Sequence, residues 1–176
     1  MAPEPKDDRT SRASAILGTA IFLLLAPGTV AGYIPWRISH WRINPPLLGF
    51  TPIRAIGILL IATGLTVLLE SFARFALQGI GTPAPVFPTR HLVVQGFYRY
   101  VRNPMYVAIV ATIIGQALLF GSIHLIEYAA TAWLITHLFI LTYEEPTLHK
   151  SFGPEYETYR TQVPRWIPRL TPWQSH

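Results

Sequence analysis

The sequence predicts an all-α integral membrane protein that forms a single domain over residues 1–176. Hydrophobic residues make up 51% of the chain and charged residues only 13%, which is too apolar for a soluble domain of this length. The apolar residues occur in long runs, and four of these runs are long enough to be placed as membrane spans. The chain has no cysteine, which excludes disulfides, thiolate metal ligands and a cysteine nucleophile within it.

The first two spans are predicted at residues 13–36 and around residues 55–69. The first run carries no charge and exceeds the roughly 20 residues that cross a bilayer, and Pro27 predicts a kink in it. A cleaved signal peptide is the alternative, but the run is longer than a typical signal-peptide core and no clear cleavage site follows it. The second run has Arg54 at one end and Glu70 at the other, which suits positions close to the membrane interfaces.

The third and fourth spans are predicted at residues 104–120 and 123–143. Because only a short turn separates them, they form an antiparallel helical hairpin. With four spans, eleven Lys and Arg residues fall on one side of the membrane and three on the other, so the positive-inside rule predicts that both ends of the chain are cytoplasmic. These charges form no basic stripe, and nucleic acid is therefore not an expected partner.

The connection 78–103 is rich in Gly and Pro and leads directly into the third span. A stiff apolar loop of this length is more often functional than incidental. At its end, Asn103 and Pro104 are predicted to be the N-cap and first residue of the third helix. The start of a helix attracts anions, and Arg102 adds a guanidinium that can hold a carboxylate or phosphate. The alternative is an arginine that only extends toward the membrane interface.

Glu144 and Glu145 are predicted to lie at the end of the fourth span. The hairpin brings them to the same membrane face as Arg102, and two carboxylates at a helix C-terminus oppose the helix dipole. A positive partner is therefore expected. It is either a salt bridge to a nearby Arg or Lys, or a small zwitterionic or cationic ligand held between the carboxylates and Arg102.

Two segments, GFYRYVRNPMY at 96–106 and EEPTLHKSFGPEYETYRTQVPRWIP at 144–168, resemble one known superfamily. They are similar to the membrane methyltransferases that include isoprenylcysteine carboxyl methyltransferases and phospholipid N-methyltransferases. The resemblance covers residues 82–168 and implies S-adenosylmethionine as cofactor, beside a lipid-facing tunnel for a lipophilic acceptor that is a small molecule or a lipid, with membrane lipids as further partners. It divides the chain into a two-span region, 1–77, and a cofactor-binding catalytic region, 78–176. The implied cofactor contacts are Gly96, Tyr98, Arg102, Asn103, Pro104, Tyr106, Glu144 and Glu145.

The acceptor stays open between a carboxylate and an amine. At Asn103 the isoprenylcysteine branch usually has His, and the Asn-Pro-Met-Tyr sequence is closer to phospholipid N-methyltransferases and small bacterial members. Two other functions remain as alternatives. One is a nicotinamide-dependent membrane reductase of related architecture, although the sequence has no additional basic cluster for a dinucleotide phosphate. The other is a non-enzymatic four-helix membrane scaffold whose charges form salt bridges.

The catalytic candidates follow from these two acceptor chemistries. A carboxylate acceptor needs no base, so Arg102 or Arg160 would only have to position it. An amine acceptor must lose a proton, which calls for Glu145, His137 or a tyrosine as base. Glu145, Arg160 and Tyr159 are the candidate catalytic residues.

A short interfacial helix is predicted in the tail, because Gly153 interrupts the chain and Pro154 can begin a new helix. One face of this helix is apolar and would lie on the membrane surface. The alternative is that Tyr159 and Arg160 line the entrance for the substrate. The apolar face consists of Tyr156, Tyr159 and Val163.

His137 is a further candidate for the cofactor site, because an ionisable side chain within a span is functional by default. It lies seven residues before Glu144, which predicts that the two side chains share a helix face. The alternative is a hydrogen-bonded packing residue against a neighbouring helix. Trp166 and Trp173 are predicted to be interfacial anchors, and no metal site is predicted.

Overall fold

The computed structural model describes residues 17–18, 20–77, 92 and 94–174, and side chains of 75–77 are not described. The start of the first predicted span and most of the 78–103 connection lie outside the described residues. Every regular element in the described part is helical. The five main helices are α1 (Ala20–Ser39), α2 (Ile53–Leu77), α3 (Pro104–Phe120), α4 (Ile123–Phe139) and α5 (Glu145–Gln162).

The helices confirm the prediction of an integral membrane protein. Three stretches are long and apolar enough to cross a membrane, namely Ala20–Ser39, Ile53–Arg74 and the continuous helix Ile123–Gln162. The predicted third span, α3, is an apolar helix of 17 residues, slightly shorter than the roughly 20 residues of a full span. Its bounds agree with the prediction for residues 104–120.

Helices α2 and α3 pack with their backbones in close contact. A methyl group at Gly57 would lie 2.6 Å from the carbonyl oxygen of Gly115, and one at Gly115 would lie 2.7 Å from the carbonyl oxygen of Gly57. Only glycine allows such an approach, as in many membrane helix pairs. This contact holds α3 in place, and the start of α3 carries the candidate site.

The hairpin between α3 and α4 forms as predicted. Helix α3 ends at Gly121, whose φ of 67° is the left-handed conformation that glycine adopts readily. The backbone N–H of Ser122 donates to the carbonyl of Ala117 at 3.0 Å, and α4 begins at the next residue. The tight turn brings the far end of α4 back to the membrane face where α3 starts.

The helix that begins with α4 continues past Glu144 and Glu145. The prediction that this helix ends at residue 143 is therefore wrong. A π-helical turn, Ile140–Glu144, joins α4 to α5 without a break, and the chain stays helical to Gly153, whose φ of 48° interrupts α5. The two carboxylates therefore lie within a helix. The prediction of a positive partner assumed that the negative end of a helix dipole repels the two carboxylates. Because no helix ends at these residues, that reason does not apply.

The short helix after Gly153 forms as predicted, but its apolar face packs into the protein and not onto the membrane surface. The three residues of this face are each at most 3% exposed, namely Tyr156, Tyr159 and Val163. They form a cluster with side chains of α5 and of the loop that precedes α3. Trp173 stacks on the Tyr159 ring, with 5.7 Å between ring centroids. The surface that was expected to anchor the tail to lipid is thus part of the protein core.

After α5, residues 164–174 run back along the loop that precedes α3, and we call them the C-terminal strap. Backbone hydrogen bonds of 2.9 Å join the N–H of Arg102 to the carbonyl of Pro164, the N–H of Arg169 to that of Tyr100, and the N–H of Trp173 to that of Arg99. The strap and the loop are therefore paired in opposite directions. This pairing fixes the approach to α3 from outside the helical bundle.

Candidate cofactor and substrate site

A cavity of about 360 Å³ lies between the helices and opens at the start of α3. Its volume is within the range of small-molecule sites, roughly 300 to 1,000 Å³. Most of its wall is apolar and comes from all five main helices, with Phe22 of α1, Phe72 of α2, Ile109 of α3, Phe139 of α4 and Leu148 of α5 among the lining residues. Polar side chains gather at one end: Tyr98, Arg102, Asn103, Tyr106, Glu144 and Glu145.

Glu145 is the centre of an ionic network at the polar end. Arg165 donates from Nε to Oε1 at 2.7 Å and from Nη2 to Oε2 at 2.8 Å. Arg102 donates from Nη1 to Oε1 at 2.7 Å. The antiparallel hairpin thus brings the arginine and the carboxylate together, as the sequence predicted, in the form of the salt bridge that was the first alternative. Both oxygens of Glu145 are occupied by protein donors.

Glu144 has a different environment. Its Oε2 accepts a hydrogen bond of 3.1 Å from the Tyr106 hydroxyl, and no basic side chain within the described residues forms an ion pair with it. A carboxylate that lines a largely apolar cavity without a cation is costly unless a positive group is supplied from elsewhere. Glu144 is therefore suited to a cationic ligand group.

Arg102 retains a donor that the protein does not use. Its side chain is only 11% exposed, and its Nε is buried without a hydrogen-bond partner among the described residues. A buried donor without an acceptor costs about 1–3 kcal/mol, which an anionic ligand group at this position would recover. The cavity therefore offers one unused donor and one uncompensated carboxylate at the same end.

The start of α3 is built as predicted, with Asn103 at the N-cap and Pro104 as the first helical residue. The Asn103 side chain does not cap the helix, however. Its Nδ2 donates instead to the carbonyl of Arg165 at 3.3 Å, which ties the strap to the mouth of the cavity. The prediction of Asn103 as the N-cap residue is therefore confirmed, but its side chain does not form the capping hydrogen bond.

Tyr98 and Tyr159 brace the loop beside the cavity. The Tyr98 hydroxyl donates to Sδ of Met105 at 3.0 Å, and burial raises the pKa of Tyr98 well above its ordinary value, with the charge of Glu144 as a further cause. Tyr98 is therefore a neutral phenol at physiological pH. The Tyr159 hydroxyl donates to the backbone carbonyl of Tyr98 at 2.7 Å and so fixes the Tyr98 backbone. Both side chains line the cavity.

His137 does not line the cavity, which contradicts its predicted place beside Glu144. Its Nδ1 accepts a hydrogen bond of 3.1 Å from Trp166 Nε1, and its ring stacks on Trp133 at 5.2 Å. This is the packing role that was the alternative, and it shows that Trp166 holds the strap to α4. The π-helical turn between His137 and Glu144 adds a residue and rotates the chain beyond it by about 100°.

Three other predicted site residues also lie outside this cavity. Arg160 is exposed and forms an ion pair with Glu157 at 2.7 Å, because it faces away from the buried tyrosines on α5. Gly96, with φ of 56°, lies against the ion pair of Glu70 and Arg74, where a Cβ would be 2.7 Å from the Glu70 carboxylate. Pro104 is buried and faces a separate apolar groove.

Arg165 is the site residue that sequence reasoning missed. It was counted only as one of the positive charges in the tail. The hydrogen bonds that Arg165 donates to Glu145 raise the pKa of its guanidinium, which keeps it charged. The available signal was its position two residues after Val163, at the end of a helix whose buried face points toward the cavity.

A model of the phospholipid methyltransferase family matches residues 53–155, which is more than half of the chain. The chain belongs to this family. The matched residues include α2, α3, α4 and the start of α5, and so contain the polar cavity side chains from Tyr98 to Glu145. Arg165 and most of the strap lie beyond the matched part.

Two named proteins are similar to part of this family member. The protein-S-isoprenylcysteine O-methyltransferase of Schizosaccharomyces pombe is 37% identical over 80 residues, which are 45% of this chain and 34% of that protein. The nickel-cobalt-cadmium resistance protein NccN of Alcaligenes xylosoxydans xylosoxydans is 31% identical over 84 residues, which are 48% of this chain and 39% of that protein. The matches thus span little more than a third of each relative's length.

The second relative raises the question of a metal site. Within the described residues, no three His, Asp or Glu side chains are grouped so that they could hold a metal ion. The two carboxylates at the cavity have tyrosine and arginine partners instead.

Proposed function

We propose that this protein is an S-adenosylmethionine-dependent methyltransferase that acts on a lipophilic acceptor held in the membrane. The observation that carries the proposal is a single cavity that joins a charged end to an apolar wall between membrane helices. A cofactor with a carboxylate, an ammonium and a sulfonium requires both charge signs in one place, and a lipophilic acceptor requires an apolar wall that continues from it.

The residues present fit this cofactor. The unused Nε of Arg102 is suited to its carboxylate, since a guanidinium forms strong hydrogen bonds to such a group. The carboxylate of Glu144, whose hydrogen-bond partner within the described residues is the Tyr106 hydroxyl, is suited to one of its positive groups. When bound, S-adenosylmethionine would supply a methyl group that is activated by the adjacent sulfonium.

The protein's own part is then to orient the acceptor and to exclude water. Apolar side chains such as Ile109 and Phe139 line the wall and would hold a lipid chain in line with the charged end. Holding the cofactor and the acceptor in the correct geometry removes the entropy cost of bringing two molecules together in solution. That cost is a large part of the barrier to a reaction between two molecules. The fold needs no covalent intermediate for this chemistry.

Two acceptor chemistries fit the site. A carboxylate acceptor is already nucleophilic and needs positioning only. An amine acceptor must lose a proton first, and Glu144 is better suited to accept it than Glu145, because both oxygens of Glu145 are held by arginines. Tyr159 contributes by fixing the Tyr98 backbone. Arg160 lies outside the cavity, and we assign it no role in transfer.

The test is a transfer assay with S-adenosylmethionine that carries a labelled methyl group. The protein would be reconstituted in vesicles made from a total lipid extract, and the label would be measured in the extracted lipid. We expect transfer by the wild type and a loss of about 100-fold in Arg102→Gln, because misplaced reactants cost about that factor. Arg160→Gln is the matched control and should retain the wild-type rate.

Two results would contradict the proposal. One is the absence of labelled product with the wild type together with no binding of S-adenosylhomocysteine. The other is an equal loss of transfer in Arg102→Gln and Arg160→Gln, because the exposed Arg160 touches no part of the cavity.

A further inference from the structure

We propose that Arg165 is a positioning residue, which fixes Arg102 at the cofactor end of the cavity by binding the carboxylate of Glu145. This inference rests on the proposed function and adds to it a residue from outside the helical bundle. It also assigns different roles to the adjacent carboxylates. Glu145 fixes the two arginines, and Glu144 binds the ligand.

The geometry between Arg165 and Glu145 carries the first step. Two nearly parallel hydrogen bonds of 2.7 and 2.8 Å join the guanidinium to both carboxylate oxygens. Such a bidentate pair restricts both orientation and distance, which a single point charge does not. The Glu145 side chain is 13% exposed, so water does little to weaken the pair.

The second step is that Arg102 depends on the position of this carboxylate. Arg102 donates only Nη1 to Glu145, at 2.7 Å, because Arg165 already occupies the carboxylate from the other side. Its Nε is left without a protein acceptor. Without Arg165, the Glu145 carboxylate would be free to take two hydrogen bonds from Arg102, and the guanidinium would turn from the cavity toward Glu145.

The third step is that the strap holds the Arg165 backbone in a fixed place. The carbonyl of Pro164 accepts from the N–H of Arg102 at 2.9 Å, and the carbonyl of Arg165 accepts from Asn103 Nδ2 at 3.3 Å. The next residue, Trp166, donates to His137 at 3.1 Å. Arg165 is therefore presented to the site by two residues just before α3 and by His137 on α4.

The experiment is calorimetric titration of the purified, detergent-solubilised chain with S-adenosylhomocysteine. The variants are Arg165→Lys, Arg165→Gln, Glu145→Gln and the double variant Arg165→Gln with Glu145→Gln. Arg169→Gln is the matched control, because Arg169 lies in the same strap and, among the described residues, its side chain donates to the carbonyl of Gln162 and not to Glu145. Thermal unfolding without ligand is measured for each variant.

We expect Arg165→Lys to weaken binding about tenfold, which corresponds to about 1.4 kcal/mol, with the unfolding temperature unchanged. Lysine keeps the charge but cannot form the two parallel hydrogen bonds. The double variant should bind no more weakly than Glu145→Gln alone, because Arg165 acts through Glu145 and coupled residues are not additive. Arg169→Gln should bind as the wild type does.

The outcomes separate this proposal from the function on which it rests. No binding by the wild type would contradict the proposed function. Wild-type binding together with binding by Arg165→Lys within about twofold of it, the scatter of independent effects, would overturn the positioning role alone. Additive losses in the double variant would also overturn it, and so would a lowered unfolding temperature of Arg165→Lys, which would make the residue structural. If Arg165→Gln does not fold, Arg165→Lys decides the test.

Discussion

Glu144 and Glu145 are neighbours in the sequence but face different parts of the protein. Successive residues of a helix point about 100° apart, so Glu145 meets the strap and Glu144 meets the Tyr106 hydroxyl of α3. The sequence predicted that both would reach the same membrane face as Arg102, and all three side chains line one cavity. Their separate partners could not be predicted, because they depend on where the strap runs after α5.

At the same scale, the spacing of apolar residues in the tail predicts that a helix face is apolar, but not what buries that face. The spacing of Tyr156, Tyr159 and Val163 correctly predicts a single apolar face. It does not indicate what covers that face, because lipid and protein both bury apolar side chains. The cover is protein, including Trp173 and residues of the loop before α3.

The Tyr159 hydroxyl provides a test of this packing. Tyr159→Phe removes the donor to the Tyr98 carbonyl while it keeps the ring, and an unpaired buried acceptor costs about 1–3 kcal/mol. We expect a lower free energy of unfolding by that amount, measured by thermal unfolding in detergent. The control is Tyr143→Phe, whose ring is 47% exposed. Equal stability of the two variants would contradict the buried position of Tyr159.

At the scale of elements, the π-helical turn at Ile140–Glu144 decides which side chains of the long helix reach the cavity. Its i→i+5 hydrogen bonding adds one residue to the turn, as in the bond from the N–H of Glu145 to the carbonyl of Ile140. Hydrophobic periodicity assumes a regular helix of 3.6 residues per turn. The sequence therefore placed His137 and Glu144 on one face, and the turn separates them.

Deletion of Thr142 tests the function of this turn. Thr142 is exposed within the turn, and its hydroxyl bonds only to the carbonyl of Leu138. Its removal should restore regular α-helix and rotate Glu144 and Glu145 by about 100° relative to α4. We expect no measurable binding of S-adenosylhomocysteine by calorimetry.

Thr142→Ala is the control for the deletion, because it keeps the length of the turn. It should bind as the wild type does. Undiminished binding by the deletion variant would mean that the register of the turn does not position the carboxylates, and the account of this element would be wrong.

At the scale of the whole molecule, the sequence correctly predicted the membrane-spanning class, both bounds of α3 and the start of α4, because long apolar runs and a capped helix start are local signals. The cavity was not predictable in this way, since its wall combines residues as distant as Phe22 and Phe139. The strap was unpredictable for the same reason, because its backbone hydrogen bonds to the loop before α3 join residues more than 60 positions apart.

The orientation of the chain is a prediction at this scale. If all four predicted spans cross the membrane, eleven of the fourteen Lys and Arg residues would fall on one side, and we propose from the positive-inside rule that both ends of the chain, and the polar end of the cavity, face the cytoplasm. We expect a fluorescent protein fused after residue 176 to be fluorescent. A phosphatase fused at that position should be inactive, and one inserted between α1 and α2 should be active. The reverse pattern would contradict the orientation.

The central claim is that this cavity holds S-adenosylmethionine through the uncompensated carboxylate of Glu144. The most direct measurement is the affinity for S-adenosylmethionine of the wild type and of Glu144→Gln, with Glu157→Gln as a control for an exposed carboxylate. We predict binding by the wild type and by the control, and at least about tenfold weaker binding by Glu144→Gln, which is about 1.4 kcal/mol. Equal affinity of all three proteins, or no binding by the wild type, would contradict the account.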